Sequence, residues 1–155
     1  MTSKELILFF EDFFKKHPDV QRFKSDTEDR IDDFLNSGET FPAVYCVLNS
    51  QNYTNYTTGY KANIFSFDIF VLVRRLDFTE REKDDITILN QTNTNLEQCG
   101  IIANHFCIFV DKYFDNVDST ILQLNNYGID ALQGVRLSIS FEVGIDLCIE
   151  NILKK

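Results

Sequence analysis

The chain has 155 residues, of which 44% are hydrophobic and 25% charged, with a formal net charge of −9 and a pI of about 4.6. That length suits one domain spanning 1–155 with a buried core, and the composition excludes a disordered polypeptide. Strong acidity works against gripping a phosphate backbone, so any encounter with DNA is expected to be passage without specific binding.

The opening MTSKELILFF lacks the basic start and small-residue cleavage site of a secretory signal. No apolar run approaches the roughly 20 residues that span a bilayer. The expectation is a chain made in a cytoplasm, soluble there, with no membrane partner.

Residues 3 to 16 predict an amphipathic helix capped by Ser3, with Leu6, Phe9, Phe10, Phe13 and Phe14 inward and Pro18 as its stop. A second helix is expected from about Asp26 to Leu35, with Ile31, Phe34 and Leu35 inward and Gly38 closing it. Phe41 to Asn49 reads as a strand, and Pro42 near its start costs little. Residues 50–59, rich in Asn, Thr and Tyr, read as a hairpin tip.

The returning strand, Tyr60 to Leu76, is long for a strand, and an arm of that reach is expected to protrude from the domain, around residues 45–70, and touch something. The candidate subunit or partner interface is the tip and arm: Asn52, Tyr53, Asn55, Tyr56, Tyr60, Arg74 and Arg75. The arginine pair alone would simply sit in solvent or meet nearby acids.

From Arg81 to Phe114 apolar residues recur every three or four positions (Leu89, Thr92, Leu96, Cys99, Ala103, Phe106, Val110, Tyr113), the signature of one long helix. Thr79 and Glu82 suggest a capping box, and Glu82, Asp84 and Asp85 an acidic first turn. Ile101, Ile102, Cys107, Ile108 and Phe109 widen the stripe, predicting burial from more than one side. Thr120 to Leu124 reads as a short strand, Asn125 to Gly128 as a turn, and Val135 to Leu147 as a strand with strict alternation. The result is an α+β fold in the order α-α-β-β-α-β-β: a mostly antiparallel four-stranded sheet on one long helix, with the helices on one face.

Chemistry-bearing patterns are sparse. The four cysteines have no CxxC spacing and read as buried free thiols. Of the two histidines, His17 falls at a helix end and His105 at a packing edge. No phosphate-binding, zinc-protease or nucleophile-elbow motif occurs in the sequence. No catalytic residue, metal or cofactor is expected.

The layout nevertheless resembles a family. An N-terminal helix is followed by Phe41-Pro42, a long hairpin with NIFSFDIFVLVRR as its second arm, an acid-started helix (TEREKDDITIL) and the Gly134-led strand GVRLSISFEV. From about residue 41 onward this is similar to the tail-completion proteins of tailed bacteriophages, the tail terminator or tail-to-head joining group. The resemblance implies a non-enzymatic virion protein, a small α+β domain forming a hexameric ring at the head-proximal end of the tail tube, with tube and neck proteins as partners. The competing expectation is a cytoplasmic α+β module that binds a protein or small ligand and has no virion role.

Overall fold

A computed structural model of the chain describes residues 1–36, 40–59, 61–74, 85–127 and 132–145. Helix α1 (Ser3–Lys16) begins at a capping box: the Thr2 hydroxyl accepts the Glu5 N–H, and the Glu5 carboxylate accepts the Thr2 N–H. The cap is therefore Thr2, and Ser3 is the first helical residue, because the reciprocal bond needs Glu three positions after the cap. Leu6, Phe10 and Phe14, one turn apart, are fully buried. Lys15–Glu11 and Lys16–Asp12 pair along the wet side at 2.7 Å.

The sequence reading missed the next element, strand β1 (Arg22–Ser25), which pairs parallel with Ala43–Cys46. The predicted second helix is shorter than expected. A 3₁₀ turn (Glu28–Arg30) leads into α2 (Ile31–Asn36), while Asp26 stays outside it and meets Arg30 at 3.8 Å. Ile31 and Phe34 face inward as expected; the Leu35 side chain and Gly38 lie outside the described residues.

Strands β2 (Ala43–Asn55) and β3 (Lys61–Val73) form the hairpin, α3 spans Asp85–Tyr113, and β4 (Asp115–Tyr127) and β5 (Leu132–Gly144) follow. The sheet has five strands in the order β1-β2-β3-β5-β4, antiparallel except for the β1–β2 pair. It is thus an α+β fold with a mixed five-stranded sheet, where four antiparallel strands were expected. Strand β4 has 13 residues and not the predicted five, since Asn116 in the left-handed region (φ 49°) absorbs a bulge between Asp115 and Asp118.

One sheet face carries Val44, Cys46, Phe65, Phe67, Ile69, Val71, Val135, Leu137, Ile139 and Phe141, and α1 and α3 cover it. Alternation puts these odd-numbered β3 and β5 residues on one side. Aromatic edges lock the layers together: Phe10 meets Phe106 at 5.0 Å and Phe67 at 5.1 Å, both near-perpendicular. On α3 the buried stripe is Leu96, Cys99, Ala103, Phe106 and Val110.

The ends of the predicted stripe are different. Leu89 and Tyr113 are more than half exposed, because a 29-residue helix, about 43 Å long, outruns the sheet. The widened half is only partly covered: Phe9 and Phe13 stack on Phe109 at 4.8 and 4.4 Å, whereas Ile101 and Ile108 (69% exposed) remain in solvent. Near the first half, Thr92 and Asn95 join an amide network. Gln91 Nε2 donates to Asn95 Oδ1, Asn95 Nδ2 to Gln133 Oε1 and Gln133 Nε2 to Thr92 Oγ1, at 2.9–3.2 Å.

The helices do not all lie on one face. Ile31 and Phe34 of α2 close the opposite side over Ala43, Tyr45, Val47, Phe70, Leu72 and Leu132. There the Tyr45 hydroxyl donates to Thr27 O at 2.6 Å, and burial, the largest cause, pushes its pKa up to about 12. The expected cap at Thr79–Glu82 and its acidic turn at Glu82 and Asp84 lie outside the described residues.

Candidate functional site

The hairpin arms each have 13 residues, about 40 Å of extended chain. Pairing runs continuously from Ala43↔Leu72 to Asn55↔Lys61, with one irregularity between Leu48 and Ser50. Gly59, at φ +84°, closes the turn by donating its N–H to Tyr56 O at 2.9 Å; a positive φ at this point favours glycine. Strand β1 reaches only to Cys46, and residues 25–28 border Val47–Asn49 across a shallow cleft. The outer edge of Ser50–Asn55 has no neighbouring strand among the described residues.

The predicted interface residues therefore divide. Asn52, Tyr53 and Asn55 are strand residues with exposed side chains, not loop residues, and Tyr53 is 57% exposed. A run of Asn, Thr and Tyr looks like a loop by composition, yet this arm can be polar because neither face of it is buried in the core. Tyr56 lies in the turn and folds back onto the sheet, its hydroxyl donating to Glu142 Oε1. Arg74 stands at the opposite end of β3, exposed, with its guanidinium 5.7 Å from the Phe41 ring. A whole strand separates Arg74 from the tip, so the structure does not bring them together. Tyr60 and Arg75 lie outside the described residues.

Sequence reasoning missed the group that anchors the turn. Glu142 on β5 is only 6% exposed, accepts from Tyr56 at Oε1 and from Asn116 Nδ2 at Oε2 (2.8 Å). It ties the hairpin turn to the bulged start of β4. The only visible signal was a carboxylate at the end of a serine-bearing face. That face forms an open groove lined by Asn49, Ser66, Asp68, Asp118, Thr120, Ser138 and Ser140, with the Ser138 hydroxyl donating to Asp68 at 2.7 Å. Acids and hydroxyls there repel phosphate more readily than they hold it.

A second constellation joins residues 88 positions apart. His17 Nε2 and His105 Nδ1 lie 3.0 Å apart, and the Asp19 N–H donates to His17 Nδ1 at 3.2 Å. With both rings neutral, these bonds place the His17 proton on Nε2, pointing at His105. Burial first, then proximity to His105, lowers the His17 pKa, against Asp19 which raises it. The pair lines an apolar groove of about 390 Å³ between α1 and α3, with Phe13, Ile108, Phe109 and Lys112. Among the described residues no third His, Cys, Asp or Glu joins them as a metal set. The thiols of Cys46 and Cys99 are buried and free, and burial drives both up to about 12, which leaves them un-ionised and unreactive. Cys107 is free and half-buried; Cys148 lies outside the described residues.

No family model matches the chain. No curated protein is significantly similar to it.

Proposed function

We propose that this protein is a non-enzymatic structural component of a tailed-phage virion: a ring-forming tail-completion protein, either tail terminator or tail-to-head connector, that caps the tail tube and lets DNA pass. The observation that carries this reading is the long hairpin, whose β2 arm runs past β1 and presents a polar, tyrosine-bearing edge. An arm of this kind suits contact with a neighbouring subunit. Acidity supports the same role: six copies at −9 each would carry about −54, and a lumen faced with Asp68, Asp118 and their neighbouring hydroxyls would repel the phosphates of a sliding genome.

The test is assembly. Light scattering and negative-stain microscopy on the pure protein should show rings, hexamers by expectation. Tyr53→Asp with Asn55→Asp should abolish them without changing the circular dichroism spectrum. Unimpaired rings in that variant would remove the hairpin from the interface, and a protein that stays monomeric at all concentrations would remove the ring reading. The runner-up, a protein- or ligand-binding module, is favoured by the apolar groove between α1 and α3; it predicts a monomer that binds through that groove.

A further inference from the structure

Strand β4 ends the sheet on the side away from β1, and among the described residues no strand pairs with its outer edge. Natural monomers guard such an edge with lysine, proline or a bulge. Here bulges sit only near the ends, between Asp115 and Asp118 and between Leu124 and Tyr127. Between them, Asp118 to Leu124 runs in unbroken register with Ser140 to Gly134. From Ser119 to Tyr127 the nine residues STILQLNNY carry no charge and no proline. At the centre Ile121 is 38% exposed and Leu122 50%, on opposite faces of the strand. Sequences of this type pair readily with other strands.

The far side of the sheet offers the counterpart. Residues 43–60 are 18 consecutive positions without a charge, and beyond Cys46 strand β1 no longer pairs with them. In a chain of net charge −9, copies repel one another over most of their surface, and these two charge-free stretches lie at opposite ends of the same sheet. Direction fits as well. Strands β1, β2 and β5 run one way, β3 and β4 the other. A second copy set alongside in the same orientation therefore brings its β2 antiparallel to β4.

We infer that the outer edge of β4 receives the distal β2 arm of a second copy of this chain, so that the sheet continues from subunit to subunit. The contact is heterologous, hairpin edge to β4 edge, and propagates until it closes. This rests on the ring reading above and names the surface that accepts the hairpin.

The experiment uses the full chain. Leu122→Lys places a charge on an exposed edge position and leaves the core intact; Ile121→Lys repeats the test on the other face. Each should weaken association at least tenfold by sedimentation velocity, with unchanged circular dichroism and unfolding midpoint. In a Cys107→Ser, Cys148→Ser background, a chain carrying both Gln51→Cys and Gln123→Cys, which lie on the same sheet face, should give ladders with a short bis-maleimide, whereas either cysteine alone should not. Rings that persist in both lysine variants would overturn the β4 assignment while leaving the ring standing. Dimers cross-linked through Gln123→Cys alone would overturn it in favour of two-fold β4–β4 pairing. Slow exchange, in monomeric protein, of those β4 amides that point away from β5 would overturn it by showing the outer edge already covered. A wild-type chain that never assembles would instead fail the ring reading itself.

Discussion

Gly134 sits on an inner strand, paired with Leu72 on one side and Leu124 on the other. Its φ is +158°, and a Cβ built there would lie 1.9 Å from Val71 O, 2.9 Å from Val71 C and 3.0 Å from Leu72 Cα. All three obstacles are backbone, so no side chain can swing aside. Gly134→Ala must push β3 and β5 apart by more than 1 Å, since ordinary contact begins near 3.4 Å. Overpacking costs about 1–3 kcal/mol where neighbours adjust, and forcing a side chain into sparsely populated backbone adds about 1–3 kcal/mol. The expected loss is roughly 2–6 kcal/mol, a large share of the roughly 5–15 kcal/mol that holds a domain of this kind together. Urea unfolding followed by circular dichroism should show the midpoint fall with m unchanged. A loss below about 0.5 kcal/mol, within the range of an ordinary surface change, would mean that β3 and β5 do not approach in this register.

Gly100, by contrast, lies within α3, where an added Cβ would meet nothing within 4 Å, so Gly100→Ala should raise stability by about 0.5–1 kcal/mol in the same urea assay. Gln133→Leu should cost about 1–3 kcal/mol, because Asn95 Nδ2 loses its acceptor in a buried site; adding Asn95→Leu should recover part of that loss, measured as a double-mutant cycle. His17 is held below its ordinary 6.5, so below pH 6.5 the unfolded chain takes up more protons than the folded one. Stability should therefore be level above that pH and fall as pH drops from 6.5 toward the lowered value. The decline should be shallower in His17→Gln, and identical pH profiles for the two proteins would refute the assignment.

What the sequence made legible were elements whose local pattern and burial agree. The Leu6–Phe10–Phe14 spacing and the alternation from Val135 to Phe141 each mark one buried face, and each is an element in the fold. Strand β1 escaped notice because RFKS is four residues with two charges and none buried; its pairing with Ala43–Cys46 is set by a partner about 20 positions away. Strand β4 looked short because Asp115, Asn116 and Asp118 resemble a turn, and only a bulge reconciles them with pairing to β5. The site was less readable still. Glu142 collects Tyr56 and Asn116 from two other elements, and His17 meets His105 across the chain; neither meeting leaves any periodic trace.

The strand order also has a kinetic consequence. The β2–β3 and β4–β5 pairs join neighbours in the chain, but the central β3–β5 pair links residues at least about 60 positions apart, from Val73↔Gln133 outward to Ala62↔Gly144. Closing a loop of that length costs roughly 4 kcal/mol of chain entropy before any contact repays it. Two local hairpins should thus form early and wait for α3 to bring them together. Docking of the halves, not formation of either hairpin, should limit the folding rate, so truncating Phe67 or Phe141 at the seam should slow folding more than truncating Tyr53, exposed on the distal β2 arm.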